Sequence, residues 1–329
     1  MNPQKTLTAM VIIFLLGTLA MYSCGGNGGD DGEETSNPLF VAVGGEDILI
    51  SSDGDSWEAV TDMPAGVSYL QDVAGDGNGQ WVAVGSAGSV IRSDDGITWV
   101  AASDAATDQG LEAVHYGDGL WVAGGEEIIY SNDSDVWTTA TSVPEAGNVN
   151  GIGFGDGLWV AVTDGSGTEY VINSTDGDTW AVATTITSAN EYLYDVAFGN
   201  GLWVSTGAGN EIFNSPDGDT WNLTDYVPEV TDTVDGVIYR DGLWVAVGEN
   251  GYIFNSTDGD NWSEVNAAIA GMERFSAVAY GNGVWVAAGN IAAEPEEAEI
   301  YISSDGENWV PASLIPPGTG GLYGVAYQE

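Results

Sequence analysis

The chain is nearly without positive charge. Lysine and arginine together number 4 among 329 residues, against 50 aspartates and glutamates, for a formal net charge of −46 at pH 7. Phosphate groups are held by cationic side chains, so nucleic acid is excluded as a partner and anionic lipid headgroups are repelled. Histidine occurs once, as His115, and cysteine once, as Cys24. A histidine-built zinc centre therefore lacks its ligands, and no intramolecular disulfide can form. Long apolar runs are scarce too. The one that stands out, Leu7 to Met21, is shorter than the roughly 20 residues of a membrane span.

That run reads as the core of a signal peptide over residues 1–23, with Lys5 on its N-terminal side. It ends at Met21-Tyr22-Ser23-Cys24, which resembles a bacterial lipoprotein cleavage box. Cys24 is then the expected lipid attachment site. Cleavage there removes Lys5, the only lysine, and leaves three arginines against 50 acids. Residues 24–38 are rich in Gly, Asp, Glu, Ser and Asn and read as a flexible acidic tether. Gly25 and Gly26, rather than Asp, follow the cysteine. In a host with two membranes this favours the outer one. The expected location is the cell envelope, with the membrane touched only through the lipid.

What the chain has in abundance is glycine, at 48 residues, and tryptophan, at 13. Both follow one repeat. Ser-x-Asp-Gly-x-x-Trp begins at Ser51, Ser93, Ser131, Ser174, Ser215, Ser256 and Ser303. Only the third copy departs, with Ser134 for glycine. Successive tryptophans lie 42, 38, 43, 41, 41 and 47 residues apart, the period of a propeller blade. A second motif keeps step: a Gly-Asp/Asn-Gly turn, then a strand opened by Trp81, Trp121, Trp159, Trp203, Trp244 or Trp285, with Phe40 in the first repeat. The two motifs absorb all 13 tryptophans, so these residues read as packing between repeats.

Each repeat predicts four strands with tight Asn-Gly or Asp-Gly turns. The first repeat lacks its initial strand, because the chain enters at Leu39-Phe40-Val41. The last residues, Leu322 to Tyr327, are an initial strand with nothing after it. The predicted fold is therefore an all-β, seven-bladed propeller over residues 39–329. Its C-terminal strand joins the N-terminal blade and removes the free edges of an open array.

The seven turn motifs resemble the Asp-box, or BNR, repeat of sialidase-type propellers, Ser-x-Asp-x-Gly-x-x-Trp, with the aspartate here one residue closer to the glycine. Longer segments such as Tyr280-Gly281-Asn282-Gly283-Val284-Trp285 are similar to repeats of bacterial exported propellers and of photosystem II assembly factors. The resemblance implies a structural role, on the periphery, for Asp53, Asp95, Asp133, Asp176, Asp217, Asp258 and Asp305. It implies inward packing for Trp57, Trp99, Trp137, Trp180, Trp221, Trp262 and Trp309. Calcium is the alternative, at the pairs Asp176/Asp178, Asp217/Asp219 and Asp258/Asp260. That ion takes six to eight oxygens, and no segment supplies a complete loop, so no cofactor is expected.

Sialidases of this type hold a carboxylate with three arginines, and that triad is not found. Arg92 adjoins a peripheral turn, Arg240 lies in a turn on the face away from the expected pocket, and Arg274 alone falls near the central mouth. His115 stands where Ala74, Ala197 and Ala279 stand in other repeats and suggests no Ser-His-Asp triad. Fifty acids guarantee some close carboxylate pairs, so such pairs carry no signal for glycoside hydrolysis. No catalytic residue is assigned.

The most variable position lies two before a repeated Val or Ile in each first strand: Gln71, Glu112, Asn150, Tyr194, Asp235, Ser276 and Tyr323. Neighbouring positions read as small or apolar. These seven are the expected ligand ring at the channel mouth. The insertion from Asn290 to Glu299 should sit on the same face as a solvated loop. The expected function is a non-catalytic, monomeric surface propeller that binds or scaffolds a protein, glycan or cation. The alternatives are a diverged sialidase-like, glycan-active hydrolase and an assembly-factor-like propeller.

Overall fold

The computed structural model describes residues 40–145, 147–165, 171–183, 192–224, 232–266, 269, 271–293 and 296–328. The signal peptide, Cys24 and the tether lie outside these residues. Among the described residues the strands form seven four-stranded antiparallel sheets, the blades of a propeller. The first strands of blades 2 to 7 are Leu70–Gly75, Leu111–Gly117, Val149–Gly155, Leu193–Gly199, Val234–Arg240 and Met272–Gly281. Blade 1 takes its first strand, Gly324–Tyr327, from the C-terminal end, paired with Phe40–Gly44 through Phe40↔Tyr327 and Val43↔Gly324. The expected closure is the one observed.

Packing explains the tryptophan count. The core is divided into seven clusters, each at the junction of two adjacent blades. Between blades 2 and 3, Val82, Val84 and Val90 meet Leu111, Val114, Trp121 and Trp137. At the closing junction Phe40 and Trp57 meet Val286, Ala288 and Ile300 of blade 7. A flat sheet face becomes a wedge-shaped gap where two twisted blades diverge, and two large aromatics per blade fill it. An inner aromatic helps. Tyr116, Phe154, Phe198, Tyr239 and Tyr280 each pack on the tryptophan of their own blade, with centroids 4.5–5.0 Å apart. Some also press on a glycine of the preceding blade. A Cβ at Gly155 would stand 2.2 Å from the Phe198 ring, so only glycine fits.

The Ser-x-Asp-Gly turns join third and fourth strands. In blade 1 the Ser51 hydroxyl donates to Asp53 Oδ1 at 3.1 Å and accepts the Gly54 N–H at 2.8 Å. Asp53 Oδ1 accepts the N–H groups of Asp55 and Ser56, both at 2.9 Å. The N–H three residues on holds Asp53, Asp133, Asp176, Asp217 and Asp305 below the ordinary carboxylate range, and takes Asp258 to about 2. In five blades the tryptophan indole N–H donates to the carbonyl three residues earlier. In the last two, Trp262 and Trp309 bury that N–H without a partner.

The second carboxylate of the turn ties blades together. Asp55 accepts the N–H and hydroxyl of Ser313, both at 2.8 Å, across the closing junction. Asp135 does the same for Ser103 and also takes Arg92 Nε at 3.0 Å. Asp178 accepts the Thr141 N–H at 2.8 Å.

Candidate functional site

The first strands line a central channel, and each carries an irregularity at the same place. In blades 2 to 7 the ladder with the second strand shifts register between Leu70 and Asp72, Leu111 and Ala113, Val149 and Gly151, Leu193 and Asp195, Val234 and Gly236, and Phe275 and Ala277. The skipped residues are Gln71, Glu112, Asn150, Tyr194, Asp235 and Ser276. They are six of the seven ring positions picked out by their variability. A bulge frees one residue from the ladder and re-aims its side chain. The seventh, Tyr323, stands just before the first strand of blade 1, with its N–H on the Val43 carbonyl at 2.8 Å. All seven line one cavity of about 110 Å³ at one end of the channel.

The ring is held by contacts between blades. Asn150 Nδ2 donates to the Leu193 carbonyl at 2.8 Å. Tyr323 donates to Glu296 Oε2 at 3.0 Å and stands 2.5 Å from the Tyr69 hydroxyl. Asp235 Oδ1 accepts from Arg274 Nη2 at 2.8 Å, and Glu249 lies 3.8 Å from the same guanidinium nitrogen. Burial pushes Asp235 up to about 7, with Arg274 pulling down and Glu249 adding to the rise. Burial also raises Glu112, against the hydrogen bond from Gln71. Tyr194 is raised by burial and then by the Asp235 charge.

Two residues of the channel escaped the sequence reading. The position after the ring is Ala113, Gly151, Gly236, Ala277 and Gly324 in five blades, but Asp72 and Asp195 in two. Asp72 accepts the N–H of Val73 at 2.8 Å and of Val114, in the next blade, at 2.9 Å. Asp195 accepts those of Val196 and Val237 at 2.7 and 2.9 Å. Each carboxylate thus clasps two adjacent first strands. Burial takes Asp72 to about 7 and Asp195 to about 6, against those donors. Glycine makes the room: a Cβ at Gly324 would lie 2.8 Å from the Asp72 Cα, and one at Gly151 the same distance from the Asp195 Cα. Two acids in an otherwise Gly/Ala column were the available signal.

Beyond the clasps the channel widens to a cavity of about 340 Å³ lined by His115, Arg240 and the inner aromatics. Arg240 is therefore at the end opposite the ring, as expected, and Arg92 at a peripheral turn. His115 stands edge-on to Trp159, with centroids 6.2 Å apart. Burial and the Arg240 charge push it down to about 4, so it is neutral at pH 7. The insertion differs from the expected loop. Strands Val284–Ile291 and Glu297–Ser303 extend into it and pair through Ile291↔Glu297, while residues 294 and 295 lie outside the described set. A separate cavity of about 580 Å³ lies away from the channel, between Glu126–Ile128 and the segment from Thr139 to Glu145. Nothing in the sequence pointed to it. Among the described residues no three acids, histidines or cysteines are grouped to hold a metal.

Comparison with known proteins agrees on the fold. The family described as the DUF6242 beta propeller domain matches residues 132–270, less than half of the chain. No curated protein matches. Among solved structures, a streptogramin B lyase is similar at a TM-score of 0.64 and 14% identity, over 79% of this chain and 87% of that one. YCF48 bound to a D1 peptide is similar at 0.60 and 16%, over 77% and 85%. YCF48 from Cyanidioschyzon merolae is similar at 0.58 and 17%, over 78% and 88%. At these identities the likeness is one of fold.

Proposed function

We propose that this chain is an exported, lipid-anchored, non-catalytic propeller that receives an envelope or extracellular partner, protein or glycan, at the ring end of its channel. The observation that carries the reading is the convergence of seven bulged or strand-leading residues on one cavity, on a scaffold whose other conspicuous residues have packing roles. A bulge kept in blade after blade holds unlike side chains around a common point, which is how a rigid repeat builds one asymmetric site. A propeller of similar fold has been solved with a peptide bound. That likeness favours a peptide segment as the partner. The leader over residues 1–23 and Cys24 place the propeller at the envelope in this reading.

No cofactor enters. In the Asp176/Asp178 pair of the calcium alternative both carboxylates already have donors of their own: Asp176 Oδ1 accepts from Asp178 and Thr179 N–H, and Asp178 Oδ1 from Thr141. The test is capture of partners from the envelope fraction of the source cells by the full chain. Glu112→Ala with Tyr194→Ala should abolish capture, with the melting temperature unchanged. Capture that survives both substitutions would place the partner elsewhere on the propeller.

A further inference from the structure

The ring end of the channel leaves one carboxylate oxygen unanswered. The Asp235 side chain is only 9% exposed, and its Oδ1 is engaged by Arg274. Its Oδ2 is buried with no hydrogen-bond partner, and so is the hydroxyl of Ser276, the ring residue of the next blade. Both residues line the mouth cavity. A buried acceptor without a donor is costly, and more so when it carries charge. Both belong to residues that line one cavity, and a ligand seated there can bring the donors they lack.

Charge decides the sign of that ligand. Arg274 is the cation of the mouth, and it is spent on Asp235 and Glu249. Its Nε is also buried without a partner, but the residue does not line the cavity. What faces the space is acidic: Glu112 in the ring, and Asp72 and Asp195 beneath it. An anion would be repelled, and a neutral donor would gain hydrogen bonds alone. A cation gains both, and its charge favours the ionised form of the acids that burial alone keeps protonated. Geometry then separates the two biological cations. A guanidinium prefers both oxygens of a carboxylate, in a planar fork. Here Oδ1 is already taken, and one oxygen plus a hydroxyl on the adjacent blade suits the rotatable donors of an ammonium. The cavity, at about 110 Å³, is a few times the roughly 30 Å³ that a water occupies in the liquid. It accommodates an ammonium and the methylenes next to it, with Tyr194 among the lining residues.

We propose that the channel mouth holds a primary ammonium group, a lysine side chain or a chain-terminal amine of the partner, with Asp235 Oδ2 and Ser276 Oγ as its acceptors. This deepens the mouth-binding reading and rests on it. The experiment is calorimetric titration of the full chain with short glycine peptides. One carries a lysine and a blocked N-terminus, one a free N-terminal amine and no lysine, and one an Nε-acetyl-lysine with both ends blocked. The blocked peptide should bind about tenfold more weakly than at least one of the charged two, the loss expected for one charge-assisted hydrogen bond. The stronger of those two identifies the source of the amine. Asp235→Asn should remove that preference and Ser276→Ala should reduce it, whereas Asp62→Asn, away from the mouth, should leave it intact.

Equal affinity of all three peptides for the unsubstituted chain, or no binding of any, would overturn the assignment without recourse to a variant. So would a preference that survives Asp235→Asn. If the peptides show no preference while Glu112 and Tyr194 are still needed to capture the partner, the ammonium site fails and the mouth reading stands. If neither holds, both fail.

Discussion

Ser134 is the one break in the seven turns, and it shows what the glycines elsewhere do. Gly177 has φ +76°, and a Cβ there would stand 2.7 Å from Leu120 Cδ2 of the preceding blade. Leu158, Leu202 and Leu243 crowd Gly218, Gly259 and Gly306 in the same way. Ser134 keeps the left-handed backbone, at φ +61°, yet is fully buried. The corresponding residue of blade 2 is Gln80, not leucine, so the feature that would forbid a side chain is missing. Its serine partner differs too: Ser131 Oγ lies 2.8 Å from the Val136 carbonyl as well as 3.1 Å from Asp133 Oδ1. The remaining cost is conformational, about 1–2 kcal/mol for a non-glycine residue in this region. Ser134→Gly should therefore raise stability by roughly 1 kcal/mol, less the unfolded-state entropy of glycine. Gly177→Ser should lower it by roughly 2 kcal/mol or more, because Leu120 must also move. Urea unfolding midpoints check both, and equal effects of opposite sign would contradict the role given to Leu120. The departure was visible in the sequence. Its compensation by Gln80 was not, because that requires knowing which positions of successive blades meet.

At the scale of elements, the first strands carry both the closure and the candidate site. Deleting residues 322–329 removes the strand that pairs with Phe40–Gly44 and takes Leu322 and Val325 from the cluster around Trp57. It also bares an edge of unpaired amides and carbonyls. Cooperative unfolding should be lost and concentration-dependent association should appear, as read by calorimetry and light scattering. A monomeric shortened chain with one sharp transition would show that the closing strand is dispensable. Blade number, closure and the ring were legible because each leaves a periodic mark: tryptophans at nearly regular intervals, an incomplete repeat at either end, and a variable column in a constant strand. The bulges that aim the ring were not, since a skipped ladder position has no residue signature here. Asp72 and Asp195 were lost in a column of glycine and alanine, and their meaning lies in amides of the neighbouring blade. The insertion at 290–299 looked like loop because its glutamates are polar, although Glu297 and Glu299 sit on a strand that lengthens blade 7.

For the whole molecule, a formal charge of −46 makes pH the broadest lever, and the acids fall into two sets with opposite signs. The carboxylates of the Ser-x-Asp-Gly turns are depressed, Asp258 to about 2. Their stabilisation is present above the ordinary value near 4 and is lost as pH falls below it. The channel acids are raised, Asp72 and Asp235 to about 7 and Asp195 to about 6. Between about pH 4 and 7 the native state keeps protons on them that the unfolded chain has released, so stability falls as pH rises through that window. His115, pushed down to about 4, opposes this, because the unfolded chain gains a proton below about 6.5 that the native state refuses. Three acids outweigh one histidine, and general self-repulsion acts in the same direction as the acids. The groups around Asp235 are Arg274, Glu249 and Tyr194, and those around Asp72 are the two amides and the distant Asp195 charge. The melting temperature should therefore climb as pH is lowered from 8 to about 5, then fall below about 4 as the turn carboxylates protonate. The double substitution Asp72→Asn and Asp195→Asn should flatten the upper limb and leave the lower one in place. An upper limb of unchanged slope in that variant would mean that the channel carboxylates are hydrated and ionised at neutral pH. The clasps would then hold the strands as charged acceptors.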